Sequence, residues 1–218
     1  MTEHAALMDD VYRYQRYIYD FTRKYYLFGR DQLIRELAAK PGARIVEVGC
    51  GTARNLIAMA RRYPSARLFG LDASAEMLRT AEAAIGRAGL KDRIKLVQAY
   101  AEDLKPEAFG ETEPFDEAVF SYSLSMIPDW KQALRSASGA LRESGRIHVV
   151  DFGDLKGLGP VAEGALRRWL ALFHVAPREE LLATLENGPM REAGTLKLLG
   201  GRYAFIWVSR QGQKILTA

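Results

Sequence analysis

The sequence predicts an α/β fold built on a mostly parallel sheet. Apolar runs with strand character alternate with segments of helical spacing through the first two-thirds of the 218 residues. This alternation is typical of βα units joined by right-handed crossovers. The predicted strands are Arg44–Val48, Arg67–Asp72, Ile94–Ala99, Phe115–Ser121 and Arg146–Asp151, and helices are predicted around 53–62, 75–86 and 129–143.

Beyond residue 151 the pattern changes, and the sheet is predicted to close with a hairpin. Helices are predicted over Pro160–Val175 and from about Pro177, followed by strands at Thr195–Leu199 and Tyr203–Val208. This order resembles the class I methyltransferases, whose Rossmann-like sheet ends in one antiparallel strand. The resemblance implies S-adenosylmethionine (SAM) as cofactor. We expect one domain over 1–218, with an N-terminal helical cap at 1–40, a SAM-binding core at 41–155 and substrate-side helices with the hairpin at 156–218.

Composition restricts the fold size, the cellular location and the kinds of partner that this protein can have. The apolar content of 48% is enough for one substantial core, and the single cysteine, Cys50, excludes an intrachain disulfide and has no companions for a metal site. No stretch reads as a secretory signal or as an apolar bilayer span, so a cytoplasmic protein with at most peripheral membrane contact is expected. The net charge of +4 favours binding of anionic lipid, nucleic acid or an acidic metabolite. The alternative is that the basic residues are simply a solvated surface.

A glycine loop follows the first predicted strand in the run Glu47-Val48-Gly49-Cys50-Gly51. Glycines permit a tight turn and close approach of backbone N–H groups to a ligand, and the next helix offers a partial positive charge to the SAM carboxylate. The dinucleotide fingerprint requires a third glycine where Arg54 stands, which disfavours NAD. A turn without a ligand is the remaining alternative.

The ends of the next two strands supply further candidates for cofactor binding. Asp72 lies at the distance from the loop where an acid meets ribose hydroxyls, although it could instead cap the following helix. Met77 is a candidate apolar floor for adenine or simply a core residue. The other candidates for contacts around the adenosine are Ala73, Tyr100, Ala101, Glu102 and Ser121. Where the class I family often has an acid, this chain has Tyr100.

The N-terminal segment carries six of the ten tyrosines. At helical spacing they fall into an apolar stripe, predicted to dock on the domain, and a second stripe that alternates tyrosine with arginine. Arginines pair with carboxylates and tyrosine faces attract methylated amines, so a zwitterionic amino-acid head group would suit the second stripe. An ordinary interfacial helix is the alternative.

Four segments resemble one family, the bacterial N-methyltransferases of betaine-lipid synthesis, which trimethylate diacylglycerylhomoserine. They are Tyr12-Arg13-Tyr14-Gln15-Arg16 with Ile18-Tyr19-Asp20-Phe21-Thr22-Arg23, Leu27-Phe28-Gly29-Arg30-Asp31, the glycine loop, and Phe173-His174-Val175-Ala176-Pro177-Arg178. The resemblance implies a cytoplasmic enzyme with a lipid acceptor at the membrane surface. The helix at 160–175 could then meet anionic lipid through Arg167 and Arg168, or be core packing with solvated arginines.

Guided by this resemblance, we assign roles to residues near the acceptor. Tyr19 or His174 is a candidate to relay the amine proton, although a lone histidine is more often structural. The predicted substrate-binding residues are Tyr12, Arg16, Arg30, Tyr122, Ser125 and Arg178, and Arg23 is assigned to the cofactor. Alternatives are methylation of a small soluble amine or phenol and a SAM-binding regulatory protein without turnover; nucleic acid and metal are not expected as partners.

Overall fold

The computed structural model describes residues 27–156, 159–171, 178–188 and 190–210. In these ranges one seven-stranded sheet contains β1 Arg44–Val48, β2 Arg67–Asp72, β3 Ile94–Gln98, β4 Phe115–Ser121, β5 Leu141–Phe152, β6 Gly194–Leu199 and β7 Ala204–Ser209. The helices are α1 Arg30–Glu36, α2 Arg54–Arg62, α3 Ala75–Arg87, α4 Trp130–Ala140, α5 Pro160–Ala171 and α6 Glu179–Asn187, with 3-10 helices at Ala101–Asp103 and Pro106–Phe109.

The sheet order β3-β2-β1-β4-β5-β7-β6 is the class I methyltransferase order, so the predicted fold is confirmed. The first five strands run parallel, and β7 lies antiparallel between β5 and β6. The chain order reverses between β1 and β4. A crevice at the carboxyl ends of the strands forms at such a switch point, and this is where ligands bind in open α/β sheets.

Helices cover both faces of the sheet because the central strands are buried on both sides. All five residues of β1 are buried, with Ile45 packed in one core cluster and Val46 and Val48 in the other. The first cluster also takes residues of α1, α2, α3 and α5, and the second takes residues of α4 and α6. The sheet is therefore the middle of three layers. Because the helices cover its two faces, the carboxyl ends of the strands are where a ligand can bind.

The fifth strand is longer than predicted and the helix before it is shorter. The helix was expected to reach residue 143, but α4 ends at Ala140, and Leu141 already pairs with Phe115 of β4. The β4–β5 register shifts within this part of the pair. A Cβ on Gly145 would lie 2.9 Å from the Leu141 side chain and 3.0 Å from the Asp116 carbonyl. Only glycine fits this irregularity. Residues 141–143, which were predicted to end the helix, therefore belong to β5.

The apolar face of α5 packs into the core, as the core-packing interpretation of this helix predicted. Leu170 is fully buried and Trp169 packs against the same cluster. The Arg167 guanidinium binds Glu163 and Glu179 at 2.9 Å, whereas Arg168 is exposed, and contact of either with lipid stays a prediction. Within the described ranges no helix has the length and apolar character that crossing a bilayer requires.

Each outermost strand carries a lysine at its exposed positions. In the described part of the chain, β3 pairs only with β2 and β6 only with β7, so these two strands are the edges of the sheet. Lys95 lies in β3 and Lys197 in β6, and both side chains are more than half exposed. Lysine on an edge strand disfavours pairing with a further strand.

A charge cluster holds the amino-terminal ends of the first three strands together. The carboxylate of Glu111 is 8% exposed and binds Arg44 at 3.0 Å, Arg67 at 2.9 Å and Lys95. The hydrogen bond from Lys95 is the main reason that the pKa of Glu111 falls to about 2, with Arg44 and Arg67 adding to the effect against the cost of burial. The cluster lies at the end of the sheet opposite the crevice, so its role is structural.

We predict that Glu111→Gln lowers the free energy of unfolding at pH 7 by about 3 kcal/mol, because it leaves Arg44 buried without its charge partner. Since the pKa of Glu111 is depressed in the folded state, its stabilisation is complete above its unfolded pKa and is lost as pH falls from about 4.5 to about 2. Urea unfolding at several pH values measures both. The exposed Glu107→Gln is the control, and an unchanging gap between wild type and Glu111→Gln from pH 7 to pH 2 would contradict the assignment.

Candidate active site

The glycine loop is bound tightly to the end of β2. The N–H groups of Gly49 and Cys50 donate to the Leu71 carbonyl at 2.8 and 3.0 Å, and Gly51 N–H donates to the Asp72 carboxylate at 2.7 Å. We expected the N–H groups of this loop to approach a ligand; these three donate within the protein, and the contact of the loop with a ligand stays a prediction. The glycines have φ of 74° and 52°, which turns the three donors toward β2. The loop is thus held rigidly beside the crevice.

The opposite side of the loop touches the segment after β4. Ser123 Oγ donates to the Val48 carbonyl at 2.8 Å. A Cβ on Gly49 would lie 2.6 Å from the Cβ of Ser123, closer than real side chains approach. Glycine is therefore required here both by its left-handed φ and by the neighbouring serine. Ser123 was not among the predicted site residues, and a serine in a hydroxyl-rich loop carries no signal that separates it from Ser121 and Ser125.

The helix after the loop begins without a side-chain cap. Ala53 is the N-cap of α2, with a left-handed φ of 62°, and its methyl side chain cannot accept from the first-turn N–H groups. No acidic residue lies in the first turn. The partial positive charge of this helix end is therefore available to a carboxylate such as that of the methionine part of SAM.

Asp72 is a ligand-facing candidate and not the cap of the next helix. Ser74 is the N-cap of α3, and its Oγ accepts from Met77 N–H at 3.3 Å. The Asp72 oxygens accept from Gly51 N–H at 2.7 Å and Ser74 N–H at 3.0 Å, and the side chain is only partly buried. The capping alternative for Asp72 is therefore wrong, and its carboxylate lies between the glycine loop and α3.

Two carboxylates, those of Glu47 and Asp72, lie close to the glycine loop. Burial raises the pKa of the Cys50 thiol well above its usual value, and the charges of Asp72 and Glu47 raise it further. Glu47 is 1% exposed and accepts from Asn55 Nδ2 at 2.7 Å, which ties β1 to α2. Two carboxylates beneath the loop suit a cationic sulfonium and disfavour a phosphate. Cys50 remains a neutral thiol, so it is not a nucleophile.

The residues predicted to surround adenine lie at the same edge of the sheet. Ala101 is buried at the start of the first 3-10 helix, and Tyr100 before it is 37% exposed. The Glu102 carbonyl accepts from Ser136 Oγ of α4, and the Ala73 carbonyl accepts from Gln98 Nε2 at 3.1 Å. The buried Met77 follows in the first turn of α3. The individual contacts with adenine stay predictions.

Ser121 ends β4 beside the glycine loop. Its Oγ is buried and has no hydrogen-bond partner within the described part of the chain. Its strand neighbour Phe120 pairs with Val48, the residue that enters the loop. A buried hydroxyl of this kind at the crevice fits a polar ligand group. With the open α2 end and the partly buried Asp72, these residues fit SAM.

Tyr122 joins the crevice to the chain before α1. Its φ of 55° is left-handed, its ring packs on Phe152 with centroids 4.6 Å apart, and its hydroxyl donates to the Phe28 carbonyl at 2.6 Å. Burial and the charge of Asp151 raise the pKa of Tyr122 well above its usual value, against the charge of Arg30. The structure thus places Tyr122 and the buried Arg30 together, and a contact of either with substrate stays a prediction.

Ser125 and Arg178 meet on the acceptor side. Arg178 Nε donates to the Ser125 carbonyl at 3.0 Å, and Nη1 donates to the Pro128 carbonyl at 3.4 Å. Ser125 itself is buried. Asp151, which the sequence analysis did not select, accepts from Ser125 N–H. The signal for Asp151 was visible as an acid ending an apolar strand.

Five predicted site residues lie outside the described ranges: Tyr12, Arg16, Tyr19, Arg23 and His174. Their assignments to substrate, cofactor and proton transfer stay predictions. Most of the second, arginine-rich stripe of the N-terminal segment falls in the same part of the chain.

Comparison with known proteins agrees with this geometry. Residues 45–145 match the model of a methyltransferase domain. The chain is 29% identical over 208 residues to the ubiquinone/menaquinone biosynthesis C-methyltransferase UbiE of Syntrophotalea carbinolica, covering 84% of this chain and 85% of that protein. It is 32% identical over 117 residues to the demethylmenaquinone methyltransferase of Staphylococcus carnosus, covering 53% and 46% of the two chains.

A solved structure supports the fold. The apo form of the S-adenosylmethionine-dependent methyltransferase SibL superposes with a TM-score of 0.66 at 21% identity, covering 92% of this chain and 58% of that one. At this identity the likeness concerns the fold alone.

We predict that Gly49→Ala disrupts both the loop and cofactor binding. The left-handed φ and the contact with Ser123 together lower the free energy of unfolding by about 3 kcal/mol, and the affinity for S-adenosylhomocysteine falls at least about tenfold. The matched control is Gly89→Ala, where φ is +68° but no atom lies within 4 Å of the added Cβ. Equal losses in both variants, by thermal unfolding and calorimetry, would show that Ser123 contact is irrelevant.

A second prediction concerns Asp72→Ala, which removes the proposed ribose ligand and the Gly51 bond. Affinity for S-adenosylhomocysteine should fall about 10- to 100-fold, because hydrogen bonds to a charged group contribute about 1.5–3 kcal/mol. Calorimetric titration measures it, with the exposed Asp103→Ala as control. Unchanged affinity would remove Asp72 from the cofactor site.

The glycine loop between β1 and α2, the acid at the end of β2, the sheet order and the sequence relatives lead to one conclusion. The chain is a SAM-dependent methyltransferase of the class I, Rossmann-like fold.

Proposed function

We propose that this enzyme methylates the amino group of a homoserine head group, converting diacylglycerylhomoserine to the trimethylated betaine lipid at a membrane surface. The observation that carries the proposal is the position of Arg178. It is the N-cap residue of α6, and carbonyl groups of the β4–α4 loop bind its guanidinium. A homoserine head group brings one carboxylate for this cation and one amine for methylation.

The guanidinium of Arg178 keeps a nitrogen for a ligand. Nε and Nη1 bind the carbonyls of Ser125 and Pro128, while Nη2 has no hydrogen bond to the described residues. The side chain is partly exposed. Two fixed nitrogens orient the third, and a preorganised guanidinium loses little entropy when it binds a carboxylate.

The chemistry asks the protein mainly for alignment. When bound, SAM supplies a methyl group already activated by its sulfonium. The chain has to hold the acceptor nitrogen in line and exclude water, and positioning of this kind contributes on the order of 7–11 kcal/mol. The positive charge of Arg178 also favours the neutral, nucleophilic form of an amine bound near it. Tyr19 and His174 remain candidates to take the proton.

A second candidate is C-methylation in quinone biosynthesis. The observation in its favour is the 29% identity with UbiE over 208 residues. A quinone ring has no carboxylate, so a guanidinium fixed beside the crevice would have no charge partner in that acceptor. This difference in charge separates the two candidates experimentally.

The assay uses the full chain with methyl-labelled SAM and three acceptors: diacylglycerylhomoserine in mixed micelles, reduced demethylmenaquinone in the same micelles, and homoserine in solution. We expect label in the homoserine lipid, with mass spectrometry showing methyl groups on nitrogen. Label in the quinone fraction alone would replace our proposal with the second candidate. Label in aqueous homoserine but not in lipid would leave N-methylation and remove the lipid.

We predict that Arg178→Ala raises the KM for diacylglycerylhomoserine about 10- to 100-fold, because the charge-assisted bond to the carboxylate is lost. Arg178→Lys should recover part of this, since it restores the charge without the planar fork. The affinity for S-adenosylhomocysteine should stay unchanged in both. Arg191→Ala, an exposed arginine before the hairpin, is the control.

A further inference from the structure

A fully buried carboxylate lies behind the acceptor side of the crevice. Asp151 is 0% exposed near the carboxyl end of β5. Its Oδ1 accepts from Phe152 N–H at 2.8 Å, and its Oδ2 accepts from Ser125 N–H at 3.0 Å. Both oxygens are thus bound by backbone donors, and the second of these donors belongs to the loop after β4.

The same loop residue is held from its other side by the acceptor-site arginine. Arg178 Nε donates to the carbonyl of Ser125 at 3.0 Å. Ser125 therefore has its N–H bound by an acid of β5 and its C=O bound by a cation before α6. The charge of Arg178 also reaches Asp151, so the acid and the arginine stabilise each other across one residue of the loop.

The surroundings make this acid sensitive to pH. Burial raises the pKa of Asp151 to about 6, against the opposing effects of the Phe152 and Ser125 N–H groups, the Ser125 hydroxyl and the Arg178 charge. Tyr122, just after β4, interacts with Asp151 and stays neutral, and Tyr203 and Arg30 act in turn on Tyr122. Arg178 is the cation whose charge acts on Asp151 most directly.

We infer that Asp151 is a positioning residue for the methyl acceptor. In its ionised form it fixes Ser125, and through Ser125 it fixes the guanidinium that receives the acceptor carboxylate. This inference rests on the proposed function in taking Arg178 as the acceptor ligand. Asp151 has no exposed surface and does not touch substrate itself.

The sign of the pH effect follows from the direction of the shift. Below about pH 6 the carboxyl gains a proton, so its attraction for Arg178 disappears and its bond to Ser125 N–H weakens. The KM for the acceptor should then rise as pH falls through about 6. The affinity for S-adenosylhomocysteine should not change over this pH range, because the glycine loop and Asp72 are held by other contacts.

The test compares Asp151→Asn with wild type from pH 5 to 8.5. In the variant we expect a KM for diacylglycerylhomoserine raised about tenfold at pH 8, no acid limb near pH 6, and cofactor affinity within about twofold of wild type. Asp154→Asn is the matched control, since Asp154 is also a buried acid but is paired with Arg202. A wild-type KM with its acid limb intact in Asp151→Asn would overturn the inference.

A spectroscopic measurement keeps this test separate from the choice of acceptor. In wild type without acceptor, the amide signals of Ser125 and Phe152 should shift together with a midpoint near pH 6, and no such titration should occur in Asp151→Asn. Amides that do not titrate between pH 5 and 8 would overturn the role of Asp151, even if the variant fails to fold. Amides that titrate in an enzyme that leaves the homoserine lipid unlabelled would instead contradict the proposed function.

Discussion

The active edge of this protein depends on the attachment of the glycine loop to the end of β2. One carbonyl, that of Leu71, takes two consecutive N–H groups, and the neighbouring carboxylate of Asp72 takes the third. These bonds form only if β1 and β2 are adjacent and parallel, with the register Val48 opposite Leu71. The geometry of the loop therefore depends directly on the parallel pairing of β1 with β2.

The acceptor side is built by a different principle. There the loop after β4 is held through its peptide groups by Asp151 and Arg178, and Tyr122 connects it to the Phe28 carbonyl. Three other parts of the chain meet at this loop: β5, the start of α6 and the chain before α1. A surface assembled from such distant parts can vary without disturbing the bonds between the glycine loop and β2.

Much of the fold was predictable, as was the position of the candidate cofactor residues at one edge of the sheet, because both depend on local patterns. Strands β1, β2 and β4 began and ended where their apolar runs do, and Asp72 was placed by its distance from the loop. The end of α4 was not predictable, since Gly145 creates a β4–β5 irregularity whose partners lie far away in sequence. The role of Ser123 was hidden, because it depends on a contact with Val48 and not on spacing. Asp151 was visible as an acid ending an apolar strand, but its bond to Ser125 was not.

The lysines at the two outer strands bear on how this protein behaves at high concentration. A sheet with open edges tends to recruit strands from neighbouring copies, and a charge on each outer strand opposes such growth. On β3, Lys95 also belongs to the Glu111 cluster, so one side chain serves both cohesion inside the molecule and repulsion between molecules. Lysine modification in preparing the protein would therefore promote aggregation through the edge of the sheet.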